Sequence, residues 1–159
     1  MTSDTCVYLD TNIVIANIDE KDPNHNNVVK QLGGISGRRL VSRLTLVELA
    51  SVYTRAGLEN PVALAIYSVE KAGASIAGVD FNEVLEKAVL HAERLRLRTL
   101  DLLHVVASSI LGCKVFFTLD TDIINKSEKI KEELDITVVT TESPAFQGGD
   151  EILKTYKLP

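Results

Sequence analysis

Four acidic residues fall where a strand hands over to a helix or where a helix begins: Asp10, Glu48, Asp101 and Asp120. Asp10 closes the apolar run Cys6-Val7-Tyr8-Leu9, and Asp120 closes Val115-Phe116-Phe117-Thr118-Leu119. Asp101 stands in the first turn of the apolar helical stretch Thr99 to Ala107, and Glu48 lies in the helical stretch after Leu40-Val41-Ser42. In an open α/β sheet, groups at the carboxyl ends of the strands line one crevice, and ligands bind there. Carboxylates gathered in it repel: two unit charges about 5 Å apart at an effective dielectric near 20 cost roughly 3 kcal/mol. Such a cluster makes sense if a divalent cation occupies it or if some members stay protonated.

The elements that must position these acids alternate along the chain. Val7 to Leu9 reads as a buried strand and Thr11 to Ile18 as a short helix. Pro23 and Asn24 open a helix carrying Val28, Val29 and Leu32, which Gly33, Gly34 and Gly37 end before a strand at Arg39 to Val41. Ser42 is a natural N-cap for the helix running to Gly57, Pro61 starts another, and Ala74 to Val79 reads as a short strand. Asp80 and Glu83 form a capping-box-like start for a helix whose apolar face is Phe81, Val84, Leu85, Ala88, Ala92 and Leu95. A nearly all-apolar central helix, Leu100 to Leu111, precedes the strand Lys114 to Phe117, a helix from Thr121 and a last strand, Ile136 to Val139. Strands separated by helices predict a parallel sheet with right-handed crossovers.

The chain has 159 residues, 45% of them hydrophobic, enough to bury one core and suggesting a single domain over 1–141 followed by a tail over 142–159. No apolar run is long enough to span a bilayer, and the polar start Met1 to Thr5 is unlike a signal peptide, so a cytoplasmic protein is expected. Cys6 and Cys113 make neither a disulfide framework nor a zinc site, and both read as buried reduced thiols. A net charge of −5 argues against tight non-specific binding of nucleic acid. Setting the clustered acids aside leaves a nearly balanced surface, where Arg38, Arg39, Arg43, Arg55, Arg94, Arg96 and Arg98 read first as a solvated face and second as a phosphate track. His104 reads as a packed or hydrogen-bonded helix histidine, and His25 and His91 as surface residues.

The ordered set Leu9-Asp10-Thr11-Asn12, Ser42-x-x-Thr45-x-x-Glu48-Leu49, Asp101-x-x-His104-x-x-Ala107 and Thr118-x-Asp120 resembles the PIN domain, and within it the VapC-type toxin ribonucleases of toxin–antitoxin pairs. The resemblance runs from about Val7 to Val139. It implies a three-layer α/β fold with a central parallel sheet of about five strands and a divalent-metal-dependent endoribonuclease. On this likeness Asp10, Glu48, Asp101 and Asp120 would be the catalytic metal ligands, with Asp122 coordinating through water or sharing Asp120's role. Asn12, Thr45 and Thr118 would support them. The cation would be Mg2+ or Mn2+, the substrate single-stranded or structured RNA, and the partners an antitoxin protein and a second copy in a homodimer.

Phosphodiester cleavage needs a nucleophile made from water at neutral pH and relief of charge on the phosphorane-like transition state. One or two divalent cations on hard carboxylate oxygens meet both needs. No His, Cys or Ser stands where a nucleophile–base pair would require it, which favours activated water over covalent catalysis. Each acid also has a duller use: Asp10 as a turn cap, Asp101 against a helix dipole, Glu48 on a surface turn, Asp120 as an N-cap. These uses are independent of one another, whereas one metal site explains all four. The alternatives are a PIN-like module that binds RNA or protein without cutting, and an RNA-processing nuclease that has no antitoxin. A receiver-type phosphoacceptor would need a Lys ending a late strand, where Val138-Val139-Thr140 stands, and a haloacid-dehalogenase-like phosphatase would need an Asp at Asn12.

Overall fold

The apolar runs form the strands of one five-stranded, fully parallel sheet, seen in a computed structural model that describes residues 5–143. The expectations for the polar start and for most of the tail fall on residues outside that range. The chain runs β1 (Cys6–Leu9), α1 (Thr11–Ile18), α2 (His25–Gly33), β2 (Arg38–Val41), α3 (Arg43–Arg55), α4 (Pro61–Lys71) and β3 (Ala74–Ile76). It continues through α5 (Phe81–Leu95), α6 (Thr99–Ile110), β4 (Val115–Phe117), α7 (Thr121–Asn125), α8 (Ser127–Leu134) and β5 (Thr137–Val139). The strand order is β3-β2-β1-β4-β5, with Tyr8 in register with Leu40 on one side and Phe116 on the other. β1 is therefore central. Among the described residues no helix is long and apolar enough to cross a membrane.

Successive strand side chains point to opposite faces, so each strand feeds two cores, and strands buried on both faces read as continuous apolar runs. Val7, Leu9, Val41, Val115 and Phe117 pack with Ile13, Val28, Leu49, Tyr53 and Val69 from α1 to α4. Cys6, Tyr8, Leu40 and Phe116 pack on the other face with Val84, Leu95, Val105, Ile123 and Ile130 from α5 to α8. The result is helix layers on both sides of the sheet, the three-layer arrangement the alternation predicts.

The chain departs from the sequence reading in four places. The third strand stops at Ile76, because beyond it only Ala77 reaches back, through its N–H to the Val41 carbonyl. On α5 the buried stripe is Val84, Ala88 and Leu95, while Leu85 and Ala92 are exposed; one residue's rotation, about 100°, carries Leu85 off the sheet-facing side. Arg39 is not a surface arginine. Its guanidinium donates to the carbonyls of Leu32, Ile35 and Ala72, answering the ends of α2 and α4, and a Cβ on Gly73 (φ +68°) would lie 2.6 Å from its Nη1.

The cysteines give the fourth departure. Cys6 and Cys113 are joined in a disulfide, with 4.9 Å between their Cα atoms and a sequence separation of 107. Cys6 opens β1 and Cys113 leads into β4, and these strands are parallel neighbours with Val7 beside Val115, which brings the two thiols together. Closing so long a loop restricts the unfolded chain strongly. The double substitution Cys6→Ala/Cys113→Ala should lower the unfolding free energy by about 2–5 kcal/mol in urea titrations. Dithiothreitol should reproduce the loss in the parent protein and leave the variant unmoved; equal stability of the two proteins in non-reducing buffer would refute the bridge.

Candidate functional site

Asp10, Glu48, Asp101 and Asp120 line one cleft of about 430 Å³ at the carboxyl edge of the sheet, together with Thr11, Asn12, Ile15, Val52, Arg98 and Leu100. Asp10 follows β1 directly and is 5% exposed. One of its oxygens accepts from the Thr11 N–H at 2.8 Å and caps α1; the other accepts from Thr118 Oγ1 at 2.7 Å and from Asn12 Nδ2 at 3.4 Å. Asn12 in turn accepts from the Leu119 N–H at 3.2 Å, so β4 and α1 grip the same carboxylate. Burial raises the Asp10 pKa; the nearby His104 charge and these hydrogen bonds pull it back only in part.

Glu48 is held through a network that ties three elements. Buried His104, on α6, pairs with Glu48 Oε1 through Nε2 and lies 2.8 Å from the Tyr8 hydroxyl through Nδ1. Tyr8 donates to Ser42 Oγ at 2.8 Å, so its oxygen receives a proton from Nδ1. Both ring nitrogens then face acceptors, an arrangement that favours the imidazolium form of His104. Burial opposes that charge, but the Glu48 hydrogen bond and the charges of Asp10, Glu48 and Asp101 outweigh it and raise the His104 pKa. Burial likewise works against the Glu48 carboxylate, and the His104 bond and charge with the Thr11 hydroxyl (2.8 Å) overcome it, leaving the Glu48 pKa lowered. Thr45, one turn before Glu48, lies fully buried 3.4 Å from Thr11 Oγ1.

Asp101 and Asp120 meet a cation from their own chain. Arg98, three residues before Asp101, places Nε 3.4 Å from Asp101 Oδ2 and Nη2 3.2 Å from Asp120 Oδ2, with Asp122 at 3.8 Å. Asp120 caps α7 through its other oxygen, accepting from the Asp122 N–H at 2.8 Å, so its cap role and its place in the cleft coexist. Asp122 itself is more than half exposed, on the rim. Burial first, then Asp120 and Asp10, push the Asp101 pKa up to about 6 against the pull of Arg98.

Among the described residues no three Asp, Glu, His or Cys side chains are drawn together at metal-coordinating spacing. The hydrogen bonding explains this: Glu48 is turned to His104, and Arg98 lies over Asp101 and Asp120. The donor set nevertheless fits a hard divalent cation. Four carboxylates face one cleft, and Asp101 Oδ2 is buried with no hydrogen bond, Arg98 Nε approaching it without hydrogen-bonding geometry. The sequence names Arg98 and a packed or hydrogen-bonded His104 but not the partners that place them in the cleft. Arg98 was hidden among other arginines, although its i,i+3 spacing to Asp101 was a usable sign. The grip of His104 on Glu48 spans 56 residues and leaves no local trace.

These shifts set a pH dependence for the metal-free protein. Raised folded pKa values at Asp10, Asp101 and His104 contribute stability at low pH that is lost as pH rises through them; the lowered Glu48 value contributes stability lost only as pH falls toward and below 4.5. In EDTA the melting temperature should peak near pH ~5 and fall toward pH ~8, each kcal/mol appearing as about 2–4 °C. A flat or rising profile across that window would contradict the charge assignment.

Among solved structures, a chain of VapBC-1 from nontypeable Haemophilus influenzae superposes with a TM-score of 0.65 at 15% identity, covering 87% of this chain and 100% of that one. A chain of VapBC2 from Rickettsia felis, bound to a DNA fragment from their promoter, superposes with a TM-score of 0.56 at 14% identity, covering 86% and 98%. The search of curated proteins returned no match. The PIN domain family model matches residues 7–129, a span that holds all four acids of the cleft, and the chain belongs to the PIN domain family.

Proposed function

We propose that this PIN domain is a divalent-metal-dependent endoribonuclease acting as the toxin of a toxin–antitoxin pair. The observation that carries the reading is the convergence of Asp10, Glu48, Asp101 and Asp120 on one cleft beside an exposed arginine. Mg2+ or Mn2+ held by Asp10, Asp101 and Asp120, with Glu48 and Asp122 at the edge, would supply charge neutralisation at the phosphate and acidify water. The chain's own groups do the rest. Thr118, Asn12 and the Thr11 N–H fix the Asp10 carboxylate, so it needs no reorganisation when ligand arrives. Arg98, exposed at the mouth, can exchange its carboxylate contacts for a phosphate oxygen, and Glu48 can take a proton from water once its bond to His104 loosens.

The antitoxin is part of the same proposal, supported by the shared fold of the two VapBC chains. An inserted cationic side chain would meet the carboxylates as Arg98 already does, and it would compete with manganese. A homodimer is proposed on family grounds.

Incubation of the purified chain with labelled single-stranded RNA should give endonucleolytic fragments with Mg2+ or Mn2+ and none in EDTA. Asp10→Asn should abolish cleavage, a larger loss than the roughly 10–100-fold expected of Thr118→Val, which removes only a supporting hydroxyl. Full metal-dependent cleavage by Asp10→Asn would assign the activity elsewhere. Metal at about 100 times its Kd should stabilise the parent by about 2.7 kcal/mol, because only the folded state gathers the acids, and Asp10→Asn should show much less of this gain.

A further inference from the structure

A second cleft, of about 590 Å³, opens between the end of α5 and the start of α8. It is lined by Arg94, Arg96, Lys126 and Lys129 with Leu95 and a single acid, Glu93. In a chain of net charge −5 that is a local concentration of positive charge. The four cations are not equally free. Arg94 pairs with Glu133 at 2.7 Å, and Lys126 Nζ donates to the Arg96 carbonyl, answering the end of α5. That bond pins Arg96 in its left-handed cap conformation (φ +51°). The Arg96 and Lys129 side chains are exposed, and no hydrogen bond or ion pair to them is found among the described residues. α8 opens at the same place from Lys126, which gives it no side-chain cap, and Glu128 in its first turn offsets part of the positive charge at that helix end.

Two short stretches of chain link this cleft to the acidic one. Arg96 is two residues from Arg98, which contacts Asp101 and Asp120. Lys126 ends the five-residue helix that Asp120 begins, and five residues of helix rise only about 8 Å. A strand whose scissile phosphate lay at the acids would pass the basic cleft within a few nucleotides. We propose that Arg96 and Lys129, backed by Arg94 and Lys126, hold backbone phosphates of the RNA strand flanking the scissile bond. The proposal rests on the ribonuclease reading above. It accounts for how an acidic protein with an acidic cleft retains a polyanion: the cleavage site repels the strand until a cation enters, and the neighbouring cleft supplies the grip.

The test measures binding apart from cutting. Fluorescence anisotropy with oligouridylate is run on the full chain carrying Asp10→Asn, with and without Arg96→Asn/Lys129→Gln; Asn tolerates the left-handed backbone at 96. The double variant should keep its melting temperature, weaken binding by about 10-fold or more, and lower the slope of log K against log salt by about 1.4, at about 0.7 per phosphate contact on a single strand. In the cleaving background the same pair should raise KM more than it lowers kcat. Oligodeoxythymidylate losing affinity in parallel would support contacts to phosphate rather than to the 2′-hydroxyl. An unchanged affinity and salt slope would overturn the proposal, as would absence of RNA binding by the parent, or polyglutamate competing as well as oligouridylate, which would mark a site for acidic protein. RNA binding that depends on Arg96 and Lys129 in a protein that cuts nothing would retain the cleft and remove the nuclease reading.

Discussion

The pairing of buried His104 with partly buried Glu48 is the interaction on which the site's geometry depends. It takes an imidazole that is 1% exposed and satisfies both of its nitrogens, with Tyr8 on one side and Glu48 on the other. Three members of that network stand close in sequence to acids of the cleft: Tyr8 before Asp10, Thr45 before Glu48, His104 after Asp101. Fixing the network therefore fixes the separation of β1, α3 and α6 where their carboxylates must meet. A buried ion pair is a poor source of net stability, since desolvation offsets much of the attraction. Its use here is registry: breaking one partner strands a charge in the core, so the three elements have one low-energy arrangement.

The cleft beyond this network is under-compensated. Burial works against ionised Asp10 and Asp101, and the one arginine that answers the outer acids is largely exposed and reaches them at hydrogen-bond distance only through Asp120. Arg98 therefore acts as a resident counterion that a better cation or a phosphate can displace. Asp10, Glu48 and Asp120 each take a hydrogen-bond donor of their own chain, while Asp101 Oδ2 is left without one.

Much of the fold was legible because its signals are local. The runs at Val7 to Leu9 and Val115 to Phe117 are apolar on both faces, and the starts at Ser42, Pro61 and Asp80 carry their own capping chemistry. What escaped depends on which elements become neighbours. The order β3-β2-β1-β4-β5 is needed before Cys6 can be placed beside Cys113, or Arg39 beneath the ends of α2 and α4. The apolar face read for α5 was too wide, since Leu85 and Ala92 remain exposed. For the acids, the reading of Asp10 and Asp120 as caps and the reading as cleft residues were posed as rivals, but a carboxylate has two oxygens, and each of these residues uses one for each purpose.

The disulfide also changes the topology of the chain as a covalent object. Cys6 and Cys113 close a ring that contains Asp10, Glu48 and Asp101, with only Asp120 on the arm beyond it. The exposed turn from Gly57 to Asn60, between α3 and α4, lies inside that ring. A protease cutting there would linearise the ring without releasing a fragment, since the two halves stay joined through sulfur as well as through the sheet. Severing the backbone and separating the acids are thus two different events, and the second also requires reducing the bond between β1 and the approach to β4.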